Sequence, residues 1–261
     1  MHFDRTIDWQ PDADGVFRGE VDDSWSQGRS IFGGVVSAGA LRALKTLAVD
    51  RDLVELHTRY VAPLAPGPVH AEIAVLREGR SLTQVEARIA GSDGLAAIVS
   101  GSLGVRRTSV IEVAGDRRPD SLPDPEGLTP LPYIPEVTPA FLQHCEMRWT
   151  EGGAPFTGQT EPSIGGWVRI PGTTRSGEEV AVALLDVFPT PVLPMLDRPA
   201  PASTLAWSAW IHDVPDTGEG FWWYRERAHA AAHGIAVSVG YLYAPDGRLA
   251  ATKGQSAAVY G

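Results

Sequence analysis

Residues 32–44 read FGGVVSAGALRAL, and this stretch organises the rest of the chain. Two adjacent glycines open it, and most of the side chains from Val35 to Ala48 are small or apolar. A helix that is apolar on nearly every side belongs inside a core rather than on a surface. Its small side chains indicate close neighbours, as a curved sheet would provide. We therefore predict a central helix over residues 33–48, wrapped by strands.

The glycine pair at the start of this predicted helix is a candidate ligand site. Glycine lets a ligand approach the backbone closely, and the first N–H groups of a helix have no partner within it. An ordinary glycine-containing turn before a buried helix would use the same residues. The pair therefore gains meaning only together with the motifs described below.

Composition restricts the class of protein. The chain has 261 residues, of which 43% are hydrophobic, enough for one large domain or two ordinary ones. The net charge of −10 argues against a nucleic-acid or membrane-surface binder. A single cysteine, Cys145, excludes an internal disulfide and fits a reducing, cytoplasmic setting. We find neither a signal-peptide pattern nor a window of 18 apolar residues, so no membrane partner is expected.

Around the central helix, the first half of the chain has the period-two pattern of strands. One candidate precedes the helix, and four follow it, with Ser92-Asp93-Gly94 as a hairpin turn before the last. The order strand, helix, four strands predicts an antiparallel sheet folded around one helix. The candidate strands cover residues 16–21, 53–61, 69–77, 82–90 and 95–105.

The second half of the chain repeats the first. His57–Val61 aligns with Trp207–Ile211, and Ser92-Asp93-Gly94 aligns with Pro245-Asp246-Gly247, with offsets of 150 and 153 residues. A helical stretch over residues 178–196, broken at Pro189, lies among strand candidates. These strands are expected over residues 165–170, 203–214, 235–243 and 249–260. In the second of them, simple alternation places Thr204 on the face opposite Trp207.

The two repeats are separated by a proline-rich segment. Seven prolines fall between Pro119 and Pro139, which is typical of a surface connector. We therefore predict an α+β chain with a repeat at 1–106, a connector at 107–140 and a repeat at 141–261. Two such repeats are expected to pair edge to edge into one continuous sheet.

Five stretches resemble the acyl-CoA thioesterase II (TesB-like) family, and together they cover nearly the whole chain except the connector. The resemblance implies a double hotdog, in which two tandem hotdog repeats form one continuous antiparallel sheet around two central helices. It further implies hydrolysis of an acyl-CoA to free acid and coenzyme A in fatty acid metabolism, without a cofactor or metal. The stretches are FGG at 32–34, YVAP at 60–63 with LREGRS at 76–81, LD at 185–186, STL at 203–205 with WIH at 210–212, and DGRLAATKGQ at 246–255.

The resemblance also implies a catalytic site in the second half. The family holds the attacking water with an Asp, a Thr and a Gln, which fall here on Asp186, Thr204 and Gln255. Asp186 is expected at the start of the second helix, where it would act as general base or serve as an ordinary N-cap. The chain departs from the family at Ala206-Trp207, where Asp-His is common.

The remaining site predictions concern the oxyanion and the substrate. The repeat places Gly34 at about the position equivalent to Asp186, so the two helix starts are expected to face each other. The backbone N–H of Gly34 is then a candidate oxyanion donor. Substrate contacts are expected from Phe32 and Gly33, and from Arg77 and Arg80 to the coenzyme A phosphates.

Other functional classes are less well supported. A serine hydrolase is disfavoured because no G-x-S-x-G precedes a helix. His229 and His233 are four residues apart, but without an evident third ligand they read as polar residues of a short helix or loop. A hydratase of the same fold would need an Asp–His pair that is not found. A non-catalytic acyl-CoA or lipid-binding protein stays open as the alternative, and we expect a homodimer or larger assembly.

Overall fold

The computed structural model describes residues 1–12 and 15–260 of the chain. Twelve strands form one antiparallel sheet, in the order β1-β2-β6-β7-β8-β5-β11-β14-β13-β12-β10-β9, and β3 pairs with β4 separately. Within the described residues, no helix is both long and apolar enough to cross a membrane. The strands are β1 Gln10–Pro11, β2 Val16–Val21, β3 Ser26–Gln27, β4 Ser30–Ile31, β5 Asp52–Tyr60, β6 Gly67–Glu78, β7 Leu82–Gly91, β8 Gly94–Gly104, β9 Glu146–Glu151, β10 Ser163–Arg169, β11 Ala202–Ile211, β12 Trp222–Ala232, β13 Ile235–Tyr243 and β14 Leu249–Val259.

The sheet consists of two units with the same connectivity. In the first unit, β2 leads to a helix and then to four strands, which lie in the order β2-β6-β7-β8-β5. In the second unit, β10 leads to a helix and four strands in the order β10-β12-β13-β14-β11. The units join where β5 pairs antiparallel with β11, so the predicted edge-to-edge pairing is confirmed.

Two buried helices fill the inside of this sheet, and a short helix α1, Phe3–Thr6, precedes them. Helix α2, Gly33–Lys45, is buried along its length except at Arg42 and Lys45, and helix α3, Gly177–Leu184, is buried throughout. The central helix predicted over 33–48 is therefore confirmed, although it ends three residues earlier. Helices α2 and α3 are antiparallel, because Lys45 at the end of α2 pairs with Glu178 at the start of α3 at 2.7 Å.

Helix α3 corrects the sequence prediction of a helical stretch over 178–196. A capping box starts the helix, in which the Ser176 hydroxyl accepts from the Glu179 N–H and the Glu179 carboxylate accepts from the Ser176 N–H. The helix ends at Leu184, and Asp186 N–H then bonds the Ala183 carbonyl at 3.3 Å in a tighter turn. Asp186 therefore follows the end of the second helix, and its predicted place at a helix start is wrong.

Strand β12 was not predicted, and it changes the interpretation of the two histidines. His229 lies on this strand, and His233 lies in the β12–β13 turn with a φ of 53°. The two histidines are therefore not one helical turn apart. Across residues 1–12 and 15–260, no group of three or more His, Cys, Asp or Glu side chains is placed to hold a metal ion.

The middle of the proline-rich segment between β8 and β9 lies on the surface of the second unit. The Trp167 indole N–H donates to the Pro123 carbonyl at 3.0 Å, and Arg148 donates to the Leu128 carbonyl at 2.8 Å. These bonds tie the segment to β9 and β10. The segment contains two short 3₁₀ turns, Pro125–Gly127 and Ala140–His144, and no strand among its described residues.

Trp9 attaches the N-terminal segment to α2 through a slot made by two glycines. Its ring is buried and its indole N–H donates to the Thr6 carbonyl at 3.1 Å. A methyl group at Gly39 of α2 would lie 2.6 Å from this ring, and one at Gly19 of β2 would also overlap it. Glycine at both positions therefore makes room for the indole.

The slot predicts that Gly39→Ala destabilises the protein. Alanine normally stabilises a helix interior by about 1 kcal/mol relative to glycine, but here its methyl group overlaps Trp9. We expect a net loss of about 1–3 kcal/mol in the free energy of unfolding, measured by urea titration. Gly127→Ala is the matched control, because no atom lies within 4 Å of the added methyl group. A Gly39→Ala variant more stable than wild type would contradict the slot.

Candidate active site

The start of α2 meets the end of α3 at Asp186. The Tyr60 hydroxyl, at the end of β5, donates to Asp186 Oδ2 at 3.4 Å. A methyl group at Gly33 would lie 2.6 Å from the same oxygen, and one at Gly34 would lie 2.5 Å from the Ala183 carbonyl oxygen. The glycine pair therefore allows the backbone of α2 to approach the carboxylate and the end of α3 closely.

Gln255 and Thr204 form the second part of the group, on neighbouring strands β14 and β11. Gln255 is buried, and its Nε2 donates to Thr204 Oγ1 at 3.4 Å. In the ladder, Gln255 lies directly opposite Trp207, whose side chain is buried. Side chains opposite one another in a ladder share a face of the sheet, so Gln255 points inward.

A β-bulge turns Thr204 to this inner face. The β11–β14 register shifts between Thr204 and Ala206, which leaves Leu205 as an extra residue in β11. Trp207 and Ala209 stay buried, whereas Leu205 is exposed. The alternation predicted from the sequence, which put Thr204 on the face opposite Trp207, is therefore wrong at this point. Bulges are enriched beside active sites because they redirect one side chain in this way.

Trp207 and Tyr60 form a chain of hydrogen bonds that ends at Asp186. The Trp207 indole N–H donates to the Tyr60 hydroxyl at 2.9 Å, and the hydroxyl donates onward to Asp186. Burial and the nearby Asp186 raise the pKa of the Tyr60 hydroxyl well above its usual value. Tyr60 therefore keeps its proton and acts as a donor. Trp207 stands where the resembling family commonly has histidine, and its contact here is with Tyr60.

A buried ion pair, which the sequence analysis did not single out, lies behind Gln255. Lys253 and Glu226 are both fully buried, and Lys253 Nζ lies 3.1 Å from Glu226 Oε2. The same ammonium donates to Gln255 Oε1 at 2.5 Å and to the Leu185 carbonyl at 2.8 Å. Lys253 and Gln255 are two residues apart on β14 and share its inner face. A lysine on the inner face of an otherwise apolar strand was the available sequence signal.

The surroundings of Asp186 set its ionisation. Burial raises the pKa of this carboxyl, Lys253 lowers it, and Glu226 raises it. Hydrogen bonds from Tyr60 and from the Gly34 backbone lower it further, and the net result is a pKa of about 6. Because Asp186 retains some solvent exposure, water can reach it. A carboxylate with this pKa can take a proton from water near neutral pH.

The predicted oxyanion donor, Gly34, lies at the start of α2, as expected. Its N–H is engaged with the Asp186 carboxyl. The two helix starts do not face each other, because α2 and α3 are antiparallel and α2 begins where α3 ends. Gly34 and Asp186 are therefore close in space, but they do not occupy equivalent places in the two repeats.

The structure brings two of the four predicted substrate residues to this group. Gly33 contacts it directly, and the adjacent Phe32 is buried and stacks on Phe141 with ring centroids 4.1 Å apart. Arg77 and Arg80 are exposed at the far end of β6 and in the hairpin that follows. The ladder carries Arg77 through Gln84 and Ser102 to Glu55, five residues and about 17 Å along β5 from Tyr60. The two arginines are not part of this group.

The opposite ends of α2 and α3 are occupied by ion pairs. Lys45 pairs with Glu178 at 2.7 Å, and Arg42 pairs with Glu179 at 3.1 Å. Glu178 also accepts the Leu53 N–H at 2.7 Å. These groups border an open cavity of about 380 Å³. Glu178 and Glu179 are engaged in these ion pairs, and we therefore place the candidate site around Asp186.

Comparison with known families agrees with this geometry. The family model for the acyl-CoA thioesterase N-terminal domain matches residues 21–104, and the model for the C-terminal domain matches residues 125–259. The chain belongs to the acyl-CoA thioesterase family. It is accordingly a thioester hydrolase. A comparison with curated protein sequences finds no significant match.

Solved structures show the same hotdog fold. A conserved hotdog protein of unknown function from Alicyclobacillus acidocaldarius is 22% identical, with a TM-score of 0.88 over 99% of this chain and 98% of that one. A putative thioesterase II from Thermobifida fusca is 17% identical, with a TM-score of 0.86 over 99% and 97%. The acyl-CoA thioesterase II TesB2 from Mycobacterium marinum is 16% identical, with a TM-score of 0.79 over 99% and 98%.

The raised pKa of Asp186 predicts that Asp186→Asn stabilises this thioesterase at alkaline pH. The folded state holds the carboxyl proton more tightly than the unfolded state, whose pKa is near 3.8. Ionised Asp186 therefore costs stability, fully above pH 6 and progressively less down to pH 3.8. We expect asparagine to raise the free energy of unfolding by up to about 3 kcal/mol at pH 8 and by clearly less at pH 4.5.

Urea unfolding at both pH values measures this difference. Asp197→Asn, at an exposed carboxyl, is the control and should change the midpoint little at either pH. An Asp186→Asn variant that is less stable than wild type at pH 8 would mean that burial does not dominate at this carboxyl.

Proposed function

We propose that the protein hydrolyses acyl-CoA thioesters to a free acid and coenzyme A, with Asp186 directing the attack of water. The observation that carries this proposal is a partly buried carboxylate with a pKa of about 6 beside the start of α2. Lys253 joins it to the Gln255–Thr204 pair, because its ammonium donates both to the Leu185 carbonyl and to Gln255. The repeated connectivity of the sheet supports the description of the chain as a double hotdog. In this reading the two halves are the repeats at 1–106 and 141–261, joined by the connector at 107–140.

The proposed reaction begins with water held by three side chains. Asp186 accepts one proton of the water, while Thr204 and Gln255 orient its oxygen, since a hydroxyl and an amide can both donate hydrogen bonds. The oxygen attacks the thioester carbonyl carbon, and the carbonyl oxygen gains the negative charge. Collapse of this intermediate breaks the carbon–sulfur bond and releases the coenzyme A thiolate. The proton held by Asp186 then returns to the thiolate or to solvent.

Backbone N–H groups at the start of α2 are the proposed oxyanion donors. Gly34 N–H stabilises the ionised form of Asp186 in the resting protein. When Asp186 takes the proton from water, it loses its charge and holds this N–H less strongly. The N–H then becomes available at the moment when the carbonyl oxygen gains charge. In other hydrolases, a donor of this kind lowers the barrier by roughly 2.7–4 kcal/mol.

The wider setting of the activity stays a prediction from the sequence. It comprises an acyl-CoA as the small-molecule partner, a cytoplasmic location, a role in fatty acid metabolism, and a homodimer or larger assembly. Phe32 and Gly33 are retained as substrate residues because they border the site. Contacts of Arg77 and Arg80 with the coenzyme A phosphates stay predictions, and both arginines lie away from the group around Asp186.

Free-thiol release from acyl-CoAs of increasing chain length tests the proposal. We expect wild type to release thiol, with kcat/KM falling below about pH 6 as Asp186 becomes protonated. Asp186→Asn should lower kcat by about 10²–10⁴-fold, because asparagine cannot accept the proton. Thr204→Val, which removes the hydroxyl and keeps the shape, should lower kcat by a smaller factor.

Asp197→Asn and Thr138→Val are controls away from the site and should retain wild-type rates. Saturable acyl-CoA binding without thiol release by wild type would favour the non-catalytic acyl-CoA-binding alternative. Thiol release that persists in Asp186→Asn would remove Asp186 from the reaction and leave the activity to other residues.

A further inference from the structure

We infer that Lys253, held in place by Glu226, is a positioning residue of this site: it fixes the Gln255 amide as a donor and balances the charge at Asp186. The inference rests on the proposed hydrolysis. Lys253 lies within the DGRLAATKGQ stretch but has no role assigned to it there, and Glu226 lies in none of the five resembling stretches. Both lie on the inner face of the second unit, on β14 and β12.

The hydrogen bonds of Lys253 determine which way the Gln255 amide points. Gln255 Oε1 accepts from Lys253 Nζ at 2.5 Å, so the amide oxygen is turned away from Thr204. The amide nitrogen then faces Thr204 Oγ1, at 3.4 Å. An ammonium has only donors and cannot bond the amide nitrogen, so the flipped orientation is disfavoured. Gln255 therefore presents N–H groups to the site and acts there as a donor.

The same ammonium is joined to the chain that carries Asp186. Lys253 Nζ donates to the Leu185 carbonyl at 2.8 Å, one residue before Asp186. Glu226 in turn accepts hydrogen bonds from the hydroxyls of Tyr224 and Ser238. One buried cation thus contacts a counterion, the proposed water-orienting amide and the backbone next to the proposed base.

A contribution to folding stability does not by itself explain why such an ion pair is buried here. Removing two charges from water is costly, and apolar side chains of similar volume are often as stabilising as a buried ion pair. Lys253 and Glu226 are both fully buried, yet they lie beside the group in which an orienting charge has a use. The position of the pair therefore favours a role in the site.

The groups around Asp186 give the inference its measurable consequence. Lys253 on β14 lowers the Asp186 pKa, and Glu226 on β12 raises it. The Tyr60 hydroxyl on β5 and the Gly34 N–H on α2 donate to the Asp186 carboxyl. Tyr224 on β12 also faces it and stays protonated because burial raises its pKa. The effect of Lys253 on the Asp186 pKa exceeds the opposing effect of Glu226. Removing both charges should therefore raise the Asp186 pKa, and removing Glu226 alone should lower it.

The test compares a double variant, Lys253→Met with Glu226→Gln, with Glu226→Gln alone. The double variant leaves no unpaired buried charge, so its fold is expected to survive. Asp186 is titrated by ¹³C NMR of carboxyl-labelled protein, with its signal assigned by its loss in Asp186→Asn. We expect the Asp186 pKa to rise in the double variant and to fall in Glu226→Gln. The acid limb of kcat/KM for thiol release should move in the same two directions.

A second readout separates amide orientation from charge. At pH 9, Asp186 is ionised in every variant, so its pKa no longer affects the rate. We expect kcat of the double variant to stay about tenfold below wild type there, with KM little changed, because the Gln255 amide is no longer fixed. The matched control is Lys45→Met with Glu178→Gln, which removes an ion pair at the opposite helix ends. This control should leave the Asp186 titration and the acid limb unmoved.

The outcomes distinguish this inference from the proposed function. If wild type releases no thiol from any acyl-CoA, the proposed function falls and the positioning role falls with it. If wild type is active but the Asp186 titration is unmoved in both variants, the inference alone is overturned. It is also overturned if the two variants move the acid limb in the same direction, or if they lower the rate equally at every pH.

Discussion

The candidate site depends on the close contact between the start of helix α2 and the end of helix α3. The N–H groups at the start of α2 have partial positive charge and the carbonyls at the end of α3 have partial negative charge, so their antiparallel approach is favourable. A side chain at Gly33 or Gly34 would overlap Asp186 or the Ala183 carbonyl. The glycine pair is therefore what lets the two units close around a shared interior, and it also places backbone donors beside a carboxylate.

The continuous sheet turns this contact into a site with two different ends. An antiparallel pair of helices has two meeting points, one at each end. At one of them, Lys45 and Arg42 neutralise Glu178 and Glu179, and the carboxylates are held in ion pairs. At the other, Asp186 receives hydrogen bonds from Tyr60 and Gly34, and Lys253, the cation that lowers its pKa, already has Glu226 as its counterion. The two ends thus differ in their side chains, and Asp186 is the carboxylate that we assign to proton transfer.

Much of this architecture could be predicted from the sequence, because periodicity reports burial. The small apolar residues of α2 and the alternating strands of the first unit were recognisable. The internal repeat predicted that the two halves pair edge to edge, and this pairing occurs between β5 and β11. The end of α3 could not be predicted, because Leu185, Val187 and Phe188 continue its apolar pattern beyond the last helical turn. The inward turn of Thr204 depends on the extra residue Leu205, and a bulge leaves no mark in simple alternation. Lys253 was missed because its partners, Glu226 and Leu185, are distant in sequence.

The ionisation of Asp186 depends on opposing effects that must remain close in size. Burial alone would raise the pKa of this carboxyl further, and a protonated carboxyl cannot accept a proton from water. A fully compensating cation would hold it ionised but make it a weak base. Lys253 stabilises the carboxylate, and Glu226 limits that stabilisation, so that the pKa of Asp186 lies at about 6. On this view, the ion pair behind Gln255 lets a partly buried base exchange a proton with water near neutral pH.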